Sequence, residues 1–265
     1  MHFNATVTGY FTLPHKLFTS TLPLGIYLGD FGSSLFFIVS GASLALTVPA
    51  EQSPAQFYKK RARAVYPLFW LAWFVVFSYR FVAHPGSFGG ARTVTLVLTL
   101  LGLDNFAVAA GWVGTDFACV GEWFLGSILF LYLLFPLLRG LRKRPWLTWA
   151  LTLAVCIPVH LLGWDARLVA VHIPEFLFGM TFLTLAGRTR YILAPLLLAG
   201  AVLAQPWDGK ITCALAGAGV FILLALAGPA AGPPVAPRGG RTACQNILRG
   251  VPSASRSDPG TGRAL

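Results

Sequence analysis

Charge is scarce in this chain. Of its 265 residues 11% are charged, against roughly a quarter in an ordinary soluble domain. Acid is scarcer still, with nine Asp and Glu against twenty Lys and Arg, a formal net charge of +11. With 56% of residues hydrophobic, there is too little polar surface to cover a core of this size in water. Cysteine is also sparse: Cys119, Cys156, Cys213 and Cys244 stand far apart, with no C-x-x-C or Cys/His ligand spacing. This argues against a disulfide framework and against a zinc site, so no metal or bound redox cofactor is expected, and the cysteines read as small apolar filler. A G-x-S-x-G nucleophile elbow is missing, as is a Ser–His–Asp order. A basic soluble protein would suggest nucleic acid, but here the aromatic residues lie inside apolar runs and are not interleaved with Lys and Arg, which excludes that partner.

What is present is a series of long apolar runs between short basic clusters, the pattern of helices in lipid. Candidate crossings, each needing about 20 apolar residues, are 32–49, 64–83, 122–138, 145–163, 168–186, 191–206 and 211–228. Lys59, Lys60, Arg61 and Arg63 form one cluster, Arg139, Arg142, Lys143 and Arg144 a second, and Arg188 and Arg190 a third. The positive-inside rule puts all three on the cytoplasmic side. This requires segment 93–111, interrupted by Gly102, Asp104, Asn105 and Gly111, to enter and return without crossing, buried against protein where broken backbone is tolerated. The expected fold is all-α: a multi-pass transmembrane helix bundle of about seven crossings plus one re-entrant segment, in contact with membrane lipids.

Both ends depart from this pattern. Residues 3–31, with Pro14, Pro23, Gly9 and Gly25, read as an external loop, which would need a preceding crossing helix to carry it across. Residues 1–228 read as the membrane domain, incomplete at its start. Residues 229–265 are rich in Pro, Gly and Arg, bury too little to offset their ordering entropy, and are expected to form a disordered tail after a frameshift or aberrant terminus.

Four stretches together resemble the acyltransferase 3 family, multi-pass bacterial enzymes that place acyl groups, commonly acetyl, on cell-surface sugars. Gly29–Gly41 (GDFGSSLFFIVSG) is similar to the family's G-x-x-G-V-x-L-F-F-x-x-S-G, and Phe57–Pro67 (FYKKRARAVYP) to its basic, Pro-terminated entry to the third helix. Glu122–Pro136 (EWFLGSILFLYLLFP) keeps Trp123, Tyr132 and Pro136 at the family spacing, and Ile173–Met180 (IPEFLFGM) resembles its P-x-F-x-x-G-M helix. They stand in the family's order over about residues 2–225. Departures are also plain. The Arg that usually precedes the first-helix His by ten or eleven residues would lie upstream of Met1. Ala64 stands where an Arg is usual, with Arg63 shifted by one. Ile128 replaces the fourth-helix Glu, while Glu122 sits just before Trp123. The family's late helix is absent.

The resemblance implies transfer of an acyl group, acetyl in most of the family, from acyl-CoA at the inner face of a bacterial cytoplasmic membrane. The acceptor would be a hydroxyl of an exported glycan or lipid-linked sugar. It makes acyl-CoA a co-substrate, with no bound cofactor. It also implies poor activity for this chain, which lacks the upstream Arg and the last helices. His2 matches the family His and is the candidate base, with Glu122 as a second catalytic candidate; His suits proton transfer near neutrality. Arg61, Arg63 and Lys60 are the candidate donor-binding residues, since Arg binds phosphate through paired donors. Trp123, Tyr132, His172 and Glu175 form a possible acceptor or structural site.

Each has a simpler reading beside it. A His at position 2 is ordinarily a surface group, basic residues at a helix mouth also satisfy the positive-inside rule, and Trp and Tyr near a boundary are usually belt residues on a helix that otherwise reads as lipid-facing. Glu122 is favoured by the helix dipole alone, and His172 and Glu175, three apart, would pair as a structural lock. His160, Asp30 and Arg80 read as structural, and Ser40-Gly41 as permitting close helix packing. A reading from another class, a polysaccharide export component or other non-catalytic membrane protein, would predict repeated halves with matched broken helices. Segment 93–111 has no such partner in the sequence.

Overall fold

The computed structural model describes residues 25–227, apart from 85, 87, 89, 115, 116, 121, 142, 143, 163–168 and 186. His2 and the expected tail over 229–265 therefore lie outside the described residues. Among those described, the elements are helical: α1 (Leu28–Thr47), α2 (Pro54–Ala83), α3 (Thr93–Leu101), α4 (Asp104–Ala109), α5 (Glu122–Leu141), α6 (Pro145–Leu161), a 3₁₀ turn (Val169–His172), α7 (Ile173–Phe182), α8 (Gly187–Ala204) and α9 (Gly209–Ala227). A helix satisfies its backbone internally, which is what hydrocarbon demands of an apolar run. Leu28–Thr47, Pro54–Ala83, Trp123–Gly140 and Gly209–Ala227 are long and apolar enough to cross a bilayer. Among the described residues these four are the helices that pass by length and composition, which does not confirm the expected count of about seven. In particular, the expected crossing 168–186 is a four-residue 3₁₀ turn followed by a ten-residue helix that breaks in at Pro174, one of its first two residues. Proline is at ease at a helix start because the missing N–H has no intrahelical partner there.

Helix α2 starts at a Ser53 cap whose hydroxyl accepts from the Gln56 N–H at 3.3 Å, with Pro54 following. At 30 residues it is about 45 Å long, more than the ~30 Å hydrocarbon core, so its Lys/Arg-rich first turns extend beyond the apolar stretch. The other side of this loop is tied to α5, because Arg139 donates to the carbonyls of Pro49 (3.0 Å) and Gln52 (3.2 Å). The α1–α2 turn and Arg139 of the second basic cluster thus share one face of the bundle, in keeping with the charge pattern.

Segment 93–111 is broken into a nine-residue and a six-residue helix. The break is Gly102, at φ +72°, a conformation glycine adopts without steric cost. The carbonyls at the end of α3 have no intrahelical donor, and a helix end within a membrane needs one from elsewhere. Helix α2 supplies two: the Tyr66 hydroxyl donates to Leu101 O at 3.0 Å and the Trp70 indole to Leu100 O at 2.9 Å. Gly126 of α5 lies so near the Gly102 carbonyl that an added Cβ would approach it to 2.7 Å.

The densest packing joins α1 and α7. An added Cβ at Gly41 would fall on the Phe176 carbonyl, and one at Gly179 on the Ile38 carbonyl. Around this crossing sits a core of Phe37, Leu44, Phe57, Ile128, Leu131, Phe135, Phe176 and Met180. Helix α5 is therefore not lipid-facing throughout. Leu133 and Leu137 are exposed on one side, while Ile128, Leu131, Phe135 and Leu138 are buried on the other.

At the far face, Asp30 at the start of α1 pairs with Lys210 at the start of α9 (2.6 Å), and His160 at the end of α6 pairs with Asp208 (2.6 Å). Asp208 also caps α9, its Oδ1 accepting from the N–H groups of Lys210 (2.7 Å) and Ile211 (3.1 Å). Partial burial pushes the Asp208 carboxyl up, but those two N–H groups and the His160 ring outweigh it and hold its pKa below the usual carboxylate value.

Two predictions follow from this packing. Gly41→Ala and Gly179→Ala each force a Cβ onto backbone that cannot rotate away, so each lowers stability by about 1–3 kcal/mol or more. Gly32→Ala, which meets nothing within 4 Å, leaves it unchanged or raised, read as thermal unfolding in detergent. Because the Asp208 pKa is depressed in the folded chain, its contribution is present above the unfolded value of about 3.9 and fades as pH falls through the lower folded value. Wild type therefore exceeds Asp208→Asn in unfolding temperature at neutral pH, and the gap closes below about pH 4.

Candidate functional site

Two clusters of polar side chains are built into the helical walls, and α5 borders both. The first is nearer the basic end. In α2, Lys59, Lys60 and Arg63 are exposed, but Arg61 is turned inward and half-buried. Its guanidinium carbon lies 5.6 Å from the ring centroid of Phe57, one turn before it, and 5.6 Å from that of Tyr132 on α5. At that separation a cation is attracted to the negative face of an aromatic ring. The Arg61 Nε is buried and has no hydrogen-bond partner. Beside it opens a cavity of about 290 Å³ lined by Tyr58, Arg61, Tyr66, Leu103, Phe130 and Tyr132, among others. Its walls are apolar and aromatic, with one cation and three hydroxyls. Tyr58 is held by donating to Leu133 O at 2.9 Å, and Tyr66 by its bond to the broken α3 end. An apolar slot with a cation at its rim suits a molecule with an apolar arm and an anionic head.

The second cluster lies where α1, α5 and α7 meet. His172 ends the 3₁₀ turn and caps α7, so it sits at the helix start and not within a long span, while Glu175 is in the first turn. Both side chains are 4% exposed. His172 Nδ1 and Glu175 Oε2 are 2.9 Å apart, and the Ser34 hydroxyl of α1 donates to Glu175 Oε1 at 2.5 Å. The carboxylate is thus engaged at both oxygens, one by the Ser34 hydroxyl and one by the His172 ring. His172 Nε2 is buried with no partner. The imidazole packs at a 33° tilt against the Phe37 ring, 4.5 Å between centroids, with the Trp123 ring 6.5 Å away.

Of the residues expected from sequence, Arg61 and Tyr132 come together at the first cluster, and His172, Glu175 and Trp123 at the second. Lys60 and Arg63 are on the outside of α2, since residues one or two apart on a helix point to different faces. Glu122 is the first residue of α5, but its side chain lies outside the described residues, as does all of His2. Sequence reasoning missed Ser34, Phe57, Tyr58 and Tyr66. Ser34 had a usable signal, because it stands two turns before Gly41 on the small-residue face of α1. The tyrosines had none beyond their place in the basic, Pro-terminated stretch. His160, Asp30 and Arg80 are engaged in structural contacts, Arg80 by donating to Ala118 O at 3.0 Å. Among the described residues no group of three or more His, Cys, Asp or Glu is placed to hold a metal ion.

The four motifs that carried the resemblance fall on α1, α2, α5 and α7, the helices that enclose the two clusters. Neither the curated proteins nor the solved structures give a match to the chain. The acyltransferase domain that defines the acyltransferase 3 family matches residues 2–237, which takes in the whole described bundle and all four motifs. The chain belongs to the acyltransferase 3 family of membrane acyltransferases.

Proposed function

We propose that this membrane acyltransferase takes an acyl group, acetyl by preference, from acyl-CoA on the cytoplasmic side of a bacterial cell membrane. It would pass that group to a hydroxyl of a glycan or lipid-linked sugar at the opposite side. The observation that carries the donor half is the cavity beside Arg61. A coenzyme A thioester has a phosphorylated head, which Arg pairs with through fixed, forked donors, and a long, thin arm that an apolar slot accommodates. Arg61 already has its guanidinium oriented between Phe57 and Tyr132, so little rotamer freedom remains to be lost on binding. An unpartnered buried Nε is costly to leave unmatched and gains a partner from an anionic ligand.

The exposed Lys60 and Arg63 stand on the same two turns of α2 and add to the local positive field, which draws anions toward the mouth without fixing their geometry. The reaction needs no metal: a base takes the hydroxyl proton, the oxygen attacks the thioester carbonyl, and the thiol leaves. The acceptor half draws its support from Trp123 on the half of α5 away from the basic end, with His172 of the 3₁₀ turn beside it.

Purified protein or membranes carrying it, supplied with acetyl-CoA, test the proposal by release of free thiol. Arg61→Ala is expected to raise KM for acetyl-CoA by roughly 10- to 100-fold, the range for losing a charge-assisted hydrogen bond. Arg61→Lys falls between, since an ammonium has no fork, and Arg63→Ala changes KM by less than about threefold. Equal KM values for wild type and Arg61→Ala would remove the donor assignment.

A further inference from the structure

From the walls of the Arg61 cavity we infer that it opens sideways into the bilayer and, when no donor is bound, holds an anionic phospholipid, with the phosphate on Arg61 and one acyl chain in the slot. Acyl-CoA must then displace that lipid. The competition rests on the donor reading above, whereas the lipid site itself does not.

Two leucines show where the cavity opens. Tyr58 donates to the Leu133 carbonyl at 2.9 Å and Tyr66 to the Leu101 carbonyl at 3.0 Å. These pairs mark two levels, eight residues apart on α2 and about 12 Å along its axis. Leu133 and Leu101 both line the cavity, and they are 56% and 43% exposed. The slot therefore reaches the outer surface of the bundle at both levels, between α2, α3 and α5, and is not a shaft with a single mouth at the basic end. Phe57 and Trp73 are the buried residues of α2, and Leu68 and Leu71, just beyond Tyr66, are exposed. On a helix that crosses a bilayer, such a surface faces hydrocarbon.

The chemistry of the walls picks the occupant. An apolar slot beside lipid fills with an acyl chain, because a void would forfeit the dispersion contacts of its lining. At the other end Arg61 Nε is buried without a partner, and a phosphate oxygen supplies one. Charge favours an anionic lipid over a zwitterionic one. Lys59, Lys60 and Arg63 are exposed on the same two turns, and no acidic residue stands between Glu51 and Asp104 in the sequence. Inorganic phosphate shares the anion but has no apolar body to set against Leu103 and Phe130, so nothing there offsets its desolvation. A phospholipid brings both parts in the order the slot presents them, with the charge toward the basic start of α2 and the chain toward Tyr66 and the break after α3.

The test places the full chain in lipid nanodiscs of phosphatidylcholine containing phosphatidylglycerol with a photoreactive diazirine in its acyl chain. Wild type is expected to crosslink at the slot, on α3 and α5. Arg61→Ala is expected to lower that crosslink by roughly fivefold or more, and the exposed Arg63→Ala by less than about twofold. Leu133→Trp, an exposed position whose larger side chain fills the slot, is expected to lower it as Arg61→Ala does, and decides the matter if Arg61→Ala fails to fold. A wild type with no crosslink at the slot overturns the site. So does a yield untouched by Leu133→Trp, or one lowered as much by Arg63→Ala as by Arg61→Ala, which would be general attraction to a basic surface. Acetyl-CoA is expected to reduce the wild-type crosslink by about twofold or more, and inorganic phosphate at the same concentration is not. A crosslink that persists while acetyl-CoA is bound overturns the competition. If acetyl-CoA fails to bind wild type even in discs of phosphatidylcholine alone, the donor reading falls, while the crosslinks, which need no donor, still decide the lipid site.

Discussion

The near-contact of α1 and α7 through Gly41 and Gly179 is the constraint on which the rest of the arrangement depends. In lipid there is no hydrophobic drive to bring two apolar helices together, because the tails around them are as apolar as their side chains. Association rests on close van der Waals packing and on polar contacts. Two glycines facing each other's backbones let the axes approach until carbonyls replace side chains at the contact. This crossing also sets register. Ser34 lies two turns before Gly41 on one helix and Glu175 one turn before Gly179 on the other, so seating the glycines delivers the hydroxyl to the carboxylate 141 residues away in sequence. A small-residue stripe and a buried polar triad are thus one structural fact seen at two heights.

The same economy governs the polar groups elsewhere in the bundle. A buried donor or acceptor without a partner is expensive, and more so where water is absent. Most of the interior polar atoms are matched: Tyr66 and Trp70 serve the open end of α3, Tyr58 serves Leu133, and Arg139 serves the α1–α2 turn. Against that background the unpartnered Arg61 Nε and His172 Nε2 stand out. Each belongs to a side chain whose other atoms are fixed by aromatic rings or a carboxylate, so each is a prepared valence and not a loose end. Places where local satisfaction fails, in an otherwise consistent structure, are where function is expected to reside.

Much of this was legible in the sequence, and the parts that were not have physical reasons. Low charge and long apolar runs fixed the class, the basic clusters fixed the face shared by the α1–α2 turn and Arg139, and Gly102 marked the break in segment 93–111. Hydropathy could not tell the two sides of α5 apart, because in lipid both the exposed Leu133 and the buried Leu131 must be apolar. Nor could it find the late start of α7, where Pro174 and the 3₁₀ turn shorten what reads as a full crossing. The His172–Glu175 pairing was visible as an i,i+3 relation. Its third member, Ser34, showed only as a small residue on the Gly41 face of α1, because a long-range contact leaves no local trace of its partner. Arg61 and Arg63 look equivalent in a string of basic residues, and only their helical phase separates the inward one from the outward one.

Helix α5 fixes the distance between the two polar clusters. Trp123 near His172 and Tyr132 against Arg61 are separated by two and a half turns, about 13 Å of helix. Between those heights Ile128 and Leu131 are buried in a core with Phe37, Phe135 and Phe176. A charged nucleotide cannot be drawn through such a core, because desolvating its phosphates would cost far more than the packing returns. On the donor reading proposed above, the phosphates would stay at the Arg61 end of α5, and only an uncharged arm could extend past this core. The separation of the two polar clusters is then a consequence of burying both in one helix bundle: the basic stretch of α2 sets Arg61 against one end of α5, and the glycine crossing sets the His172–Glu175 pair near the other.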